Sequence, residues 1–212
     1  MKPCLPVSFK LLSICCLLLL NACFAGNKPA TLYTLQPQAQ TRLATLQSQA
    51  GGLIMIMPVR LAPQLQNRGL MLSTSALSAK ASALHLWAGP LDQQIGETVA
   101  ANLKTLLATE NIATYPGPRY GTPQFQLELE IAGFSGDEHA FRRQATYTLS
   151  DVAAKRVVLR KAFKKNLQTA TPDLSGFVDA ASQALGDLSQ EIAAALAEQP
   201  RNHPSGSTPH EH

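Results

Sequence analysis

Across residues 124–131 the chain alternates without a break: Phe125, Leu127, Leu129 and Ile131 are apolar, and Gln124, Gln126, Glu128 and Glu130 between them are polar. Successive side chains of a strand point to opposite faces, so this run predicts a strand with one wet and one buried face. A helix would scatter those apolar positions around its cylinder. Such a strand needs neighbours along its edges and a cover over its apolar side. Residues 135–138 (SGDE) are expected to turn the chain. Residues 141–149 then return it, with Phe141, Ala145, Tyr147 and Leu149 on one face and Arg142, Gln144, Thr146 and Thr148 on the other. A second turn at 150–154 leads to a third strand at 157–163, with Val157, Leu159 and Phe163 inward. The expectation is an antiparallel meander.

Two amphipathic segments supply the cover. Between residues 92 and 109, Ile95, Val99, Leu103, Leu106 and Leu107 recur at helical spacing behind Pro90, with Asp92 as the expected cap. Asp92 and Glu97 early and Lys104 late match the helix dipole. A second helix is expected at 174–197, striped by Phe177, Ala181, Leu188, Ile192 and Leu196. Upstream, residues 31–35 (TLYTL) read as an edge strand, 38–49 as a loop and 53–59 (LIMIMPV) as a central strand buried on both faces. Residues 70–74 and 84–87 read as strands around a polar turn at 75–82, and 112–115 as a short strand before a loop at 116–121. Met55, Met57 and Met71 are read as core filling in preference to a greasy ligand surface. The predicted fold class is α/β in the α+β sense: one domain at 32–198, a mixed, largely antiparallel sheet packed by two amphipathic helices. Residues 199–212 can bury nothing and are expected to form a disordered tail.

The start of the chain carries a different signal. Behind Lys2 and Lys10, residues 11–20 are Leu, Ser, Ile and Cys, an apolar stretch of signal-peptide length. It is shorter than the ~20 residues that cross a bilayer. It closes on Leu20-Asn21-Ala22-Cys23, which resembles the lipobox of bacterial lipoproteins, although Asn21 is bulkier than usual at its place. The resemblance implies a signal peptide at 1–22 and fatty chains of the palmitate class on Cys23. Ordinary secretory cleavage near Ala25 is the alternative, and it has no need of the cysteine. All four cysteines, Cys4, Cys15, Cys16 and Cys23, lie at or before that site, so the mature fold has neither a disulfide framework nor a cysteine metal site. Loss of Lys2 and Lys10 takes the basic count from 18 to 16 against 14 acidic residues, so the mature charge is near +2 and names no charge-driven partner. Residues 23–31 form the expected tether; from Cys23 to Tyr33 the chain reaches at most ~35 Å. In enterobacterial sorting an aspartate after the cysteine retains a lipoprotein in the inner membrane. Phe24 stands there instead, which favours the outer membrane with the body facing the periplasm.

Catalytic chemistry finds little support. His85 lies in an apolar strand and His139 in a turn, and neither has a ligand or nucleophile motif beside it. His203, His210 and His212 occur in a tail with no fixed geometry. There is no phosphate-binding glycine loop, nucleophile elbow or HExxH motif. Glu128 and Glu130 resemble an acid–base pair, yet cross-strand pairing with Arg142, Arg156 or Arg160 explains them more simply. The basic run, Lys155-Arg156, Arg160-Lys161 and Lys164-Lys165, is either a solvated, aggregation-blocking edge or a patch for lipid headgroups or an acidic partner. Aromatic residues are not interleaved with it, so nucleic acid is not expected.

Several motifs fall in a recognisable order: the lipobox, Leu32-Tyr33-Thr34-Leu35, Ile54-Met55-Ile56-Met57-Pro58-Val59-Arg60-Leu61, Leu65-Gln66-Asn67-Arg68, Trp87-Ala88-Gly89-Pro90-Leu91 and Phe125-Gln126-Leu127-Glu128-Leu129. Together with the meander and final helix, they resemble the ABC-type transport auxiliary lipoproteins of the PqiC type, companions of mammalian-cell-entry (MCE) lipid transporters. Gln66-Asn67 stands where members often show an aspartate before the arginine, and the turn near Asp151 lacks the usual glycine. The resemblance implies an outer-membrane lipoprotein that docks an MCE-domain partner tunnel through which phospholipids move. It implies no reaction and no cofactor. The number of copies, a homo-oligomer included, stays open. Trp87, Pro90, Leu91, Arg156, Arg160 and Lys164 are the candidate partner or lipid contacts, unless the first three are corner-makers. The rival readings are a lipid or lipoprotein chaperone with its own apolar cavity, and a hydrolase using His85 or His139.

Overall fold

The computed structural model describes residues 29–38, 52–75, 78–117 and 121–199. The leader, the lipobox with Cys23, nearly all of the expected loop at 38–49 and the expected tail beyond Gln199 lie outside the described residues. The compact body begins at Thr31.

Its elements in chain order are β1 (Thr31–Tyr33), β2 (Ile54–Ile56), β3 (Arg60–Leu61), β4 (Gly69–Ser75), β5 (Ser78–Trp87), α1 (Leu91–Leu107), β6 (Ile112–Thr114), β7 (Phe125–Gly136), β8 (Ala140–Asp151), β9 (Arg156–Gln168) and α2 (Leu174–Ala197). The alternating strand β7 is the spine of the sheet. Along one edge it pairs antiparallel with β8, which pairs antiparallel with β9. Its other edge is met in turn by β2 at residues 125–127, β3 at 130–131 and β4 at 136, all parallel. Beyond β2 lies β6, parallel; beyond β4 lie antiparallel β5 and then β1, parallel to β5. The long ladders are antiparallel and the short ones parallel.

Phe125, Leu127, Leu129, Ile131 and Phe134 of β7 face Phe141, Ala145, Tyr147 and Leu149 of β8 in one buried layer. The helices cover that layer. In α1 the predicted stripe from Ile95 to Leu107 is buried, as is the α2 stripe of Phe177, Ala181, Leu188, Ile192 and Leu196. T-shaped contacts Phe134–Phe141 (4.8 Å) and Phe141–Phe177 (5.3 Å) tie sheet to helix. The bounds of α2 match the sequence expectation, and Asp173 caps it by accepting from the Gly176 N–H at 2.7 Å.

Several local expectations are corrected. The polar stretch at 78–82 is strand, because backbone pairing with β4 holds it whatever its side chains prefer. Asp92 does not cap α1; Pro90 occupies that position with no side-chain bond, and Asp92 sits in the first turn. Ser135 and Gly136 remain in β7, and the chain reverses at residues 137–139. A Cβ on Gly136 would lie 2.2 Å from the Ala140 carbonyl oxygen, so glycine allows that close approach. Val157 is 59% exposed rather than inward. Ser150 pairs with Val157 but Leu149 with Leu159, so Val158 is an extra residue that reverses the facing of what precedes it.

Candidate functional site

Of the expected contact residues, Trp87 and Leu91 are 1% and 5% exposed and belong to the core. Trp87 packs against Phe134, with ring centroids 5.9 Å apart. Arg68 bonds the Trp87 and Ala88 carbonyl oxygens at 3.2 and 3.3 Å, and Pro90 and Ala88 are the exposed residues of that corner. The motif 87–91 therefore builds the junction between β5 and α1.

The basic run on β9 does not form one patch. Pairing through β8 puts Arg160 and Lys164 on one face and Lys161 and Lys165 on the other, and the Val158 bulge moves Arg156 to the face opposite Arg160. Arg160 bonds Glu130 at 3.2 Å. Glu130 and Glu128 also bind Arg60 of β3, the latter at 3.1 Å. Glu130 thereby holds the Arg60 guanidinium above its ordinary value. These charges form a solvated ladder across the wet face, where exposed pairs are worth little individually. On the other face Lys161 reaches Glu191 at 3.2 Å and Lys165 reaches Asp187 at 3.0 Å, fastening β9 to α2.

Between those two links lies a residue the sequence reading passed over. Arg143 is 2% exposed and faces inward in phase with Phe141 and Ala145. Its guanidinium lies 4.4 Å from the centre of the Phe163 ring, and its nitrogens have no hydrogen-bond partner among the described residues. Burial pulls its pKa down to about 9, against the field of Asp187 and Glu191, so it stays charged at neutral pH. Beside it the Tyr147 hydroxyl donates to Glu191 at 3.1 Å. Burial, with that hydrogen bond second, raises the tyrosine well above its ordinary value.

A buried polar seam joins the helices to the segment after β1. The Leu35 N–H donates to Gln94 Oε1 at 3.0 Å, Gln36 N–H to Ser182 Oγ at 3.1 Å and Gln38 N–H to Asn102 Oδ1 at 2.8 Å. Asn102 in turn donates to Ser189 Oγ at 3.3 Å. A strap at residues 35–38 is thus held by side chains of α1 and α2 in place of strand partners.

Met55 is 5% exposed and part of the core. Met57 lines a cavity of about 290 Å³ whose wall includes Asp92, Glu97 and Tyr115. That volume is at the floor of the range enclosing a drug-sized ligand, and the wall carries carboxylates. His85 Nδ1 lies 3.2 Å from the Tyr33 hydroxyl, and Asp137 bonds the His139 backbone N–H at 2.9 Å, not its ring. The two histidines occupy separate elements. Among the described residues no cluster of three His, Cys, Asp or Glu could hold a metal, and no helix is long and apolar enough to cross a membrane.

The model of the ABC-type transport auxiliary lipoprotein component matches residues 33–193, from β1 almost to the end of α2. The chain belongs to this family. Within the auxiliary lipoproteins, it is 31% identical over 117 residues to the intermembrane transport lipoprotein PqiC of Escherichia coli (strain K12), and equally to that of Shigella flexneri. The match covers 55% of this chain and 60% of each of those relatives' length. Two crystal structures share the fold. One, of an uncharacterized protein, has a TM-score of 0.65 at 21% identity over 79% of this chain and 98% of that one. The other, from Xanthomonas campestris, has a TM-score of 0.66 at 15% identity over 77% of this chain and 93% of that one. The auxiliary-lipoprotein domain is therefore the whole sheet with its two helices.

Proposed function

We propose that this auxiliary lipoprotein is fastened by acyl chains on Cys23 to the outer membrane, faces the periplasm, and docks an MCE-domain protein of an intermembrane phospholipid transporter. The observation that carries the reading is the family match across residues 33–193, which takes in nearly all of the sheet and both helices. The named relatives are intermembrane transport lipoproteins, which supports the transport role. Leu20-Asn21-Ala22-Cys23 supports the anchor, and Phe24 the choice of membrane. One acyl chain holds a protein only marginally, whereas two or more make residence stable. The body then contributes contact surface and position, and the partner contributes the path for lipid.

Fractionation of cells carrying Cys23→Ala, with a photocrosslinker at Pro90 or Lys164, tests this directly. The expected result is release of the body into the periplasm and loss of a crosslink to the MCE-domain protein that the acylated chain forms. Undiminished outer-membrane residence and crosslinking in the variant would overturn the reading. A search for adjoining MCE and permease genes is the cheaper companion test.

A further inference from the structure

We propose that the outer face of the β1–β5 ladder is where this protein rests on a phospholipid surface, with Leu32 and Leu84 seated at headgroup level. The inference deepens the proposed function and rests on the acyl anchor at Cys23.

β1 ends the strand order of its sheet, so one of its edges meets no further strand among the described residues. Its register sets Thr31 opposite His85, Leu32 opposite Leu86 and Tyr33 opposite Trp87. Trp87 is buried and the Tyr33 hydroxyl meets His85, so those residues define the inner face. Alternation then turns Leu32 and its partner Leu86 outward, and Leu84 stands just before them in the irregular stretch of β5 between Ala81 and Leu86. Leu32 is 56% exposed and Leu84 40%, and Leu86 is half-buried opposite Leu32. The large apolar side chains exposed among the described residues are these two leucines, Tyr115 and Val157. Tyr115 follows β6 at the opposite end of the strand order and Val157 is near the start of β9, so this ladder is the one that carries two such groups. Single exposed leucines are ordinary; two on one ladder beside an anchor call for an occupant.

The length and charge of the adjoining chain identify that occupant. Cys23 precedes Thr31 by eight residues, at most about 28 Å when extended, so an acylated Cys23 keeps β1 close to the bilayer. The intervening Phe24-Ala25-Gly26-Asn27-Lys28-Pro29-Ala30 carries one charge, the cation of Lys28. β1, β4 and β5 contain no aspartate or glutamate, and Lys80 is their one lysine or arginine. Strands that carry leucines and a lysine suit an interface containing anionic lipid, and the carboxylate whose field reaches them is Asp173, beside Tyr33. Seating at roughly 5–10 Å into the headgroup boundary would cover both leucines.

The cysteine distribution makes a clean experiment available. Once the Cys23 thiol is consumed in a thioether to lipid, a cysteine introduced into the body is the one reactive thiol. The acylated full chain carrying Leu84→Cys, Leu32→Cys, Val157→Cys or Glu110→Cys would be labelled with an environment-sensitive fluorophore. It is then bound to phosphatidylethanolamine–phosphatidylglycerol vesicles containing nitroxide lipid. The expected result is a blue shift and severalfold greater quenching at Leu84 and Leu32 than at Val157 and Glu110. Using both leucine positions guards against one variant failing to fold. Equal quenching at all four sites, or stronger quenching at Val157, on protein that still floats with the vesicles would overturn the ladder proposal and leave the anchor standing. A shift at the leucines that appears only when the MCE-domain protein is added would also overturn it, by assigning the face to a protein. Failure to float together with an unmodified Cys23 by mass would remove the anchor and this inference with it.

Discussion

Arg143 lies on a strand whose other inward residues are Phe141, Ala145, Tyr147 and Leu149, with Phe163 as the neighbour of its guanidinium. A buried charge without hydrogen bonds is costly, and the carboxylates that could offset it, Asp187 and Glu191, are engaged by Lys165 and Lys161. Arg143→Met should therefore raise the urea midpoint, by about 1–3 kcal/mol in unfolding free energy. A fall of that size would mean that the field of the two acids outweighs desolvation. Two other residues answer to acid. The His139 backbone N–H holds the Asp137 carboxyl below its ordinary value, and the Gly176 N–H does the same for Asp173. The unfolded chain thus takes up these protons first. Their contribution is complete above about pH 4 and is lost as the pH falls through the folded values. The double variant Asp137→Asn/Asp173→Asn should show a flatter acid limb in a plot of Tm against pH. The facing of Arg143 was legible from its phase with Phe141; its lack of partners was not, because that depends on which side chains α2 brings opposite.

At the scale of elements, the strap at 35–38 depends on α1 and α2 for its backbone bonds. Asn102→Ala leaves the Gln38 N–H without its acceptor, and a cost of about 1–3 kcal/mol is expected from urea unfolding, with faster hydrogen exchange at the Gln38 amide. The hairpin of β4 and β5 has its own constraint. A Cβ at Gly69 would lie 2.4 Å from the Ser82 carbonyl oxygen, so Gly69→Ala should lower stability by about 1–3 kcal/mol in the same assay. Helix stripes and the period of β7 were readable because they are local. The strand at 78–82 was not, since Ser, Ala and Lys have weak strand preference and only pairing with β4 extends them. The Val158 bulge was equally hidden, as one extra residue leaves no mark in composition.

For the whole molecule, every cysteine lies within residues 4–23, so no disulfide constrains the body. The Tm of the acylated protein in detergent should be unchanged by a thiol reductant; a drop would require a bond between chains or an unacylated Cys23. Stability instead comes from one apolar layer shared by the sheet and both helices. That layer also explains why Trp87 and Leu91 are unavailable as contacts: they close the corner where sheet passes into helix. Under the proposed function, the acyl anchor at Cys23 lies nearest in sequence to β1, the first strand of the β1–β5 ladder.

The amino-acid order alone determined the spine strand, the meander, both helical stripes and the family resemblance, because each is written in short-range periodicity or in motifs of a few residues. It likewise determined that the body folds without cysteine chemistry. Tertiary structure decided the parallel ladders β2–β7, β3–β7 and β4–β7, the division of the β9 lysines and arginines between opposite faces, the burial of Arg143 and the exposure of Leu32 and Leu84. These depend on which distant segments become neighbours and in what register. A shift of one residue in a strand exchanges its two faces, and local sequence does not record that shift.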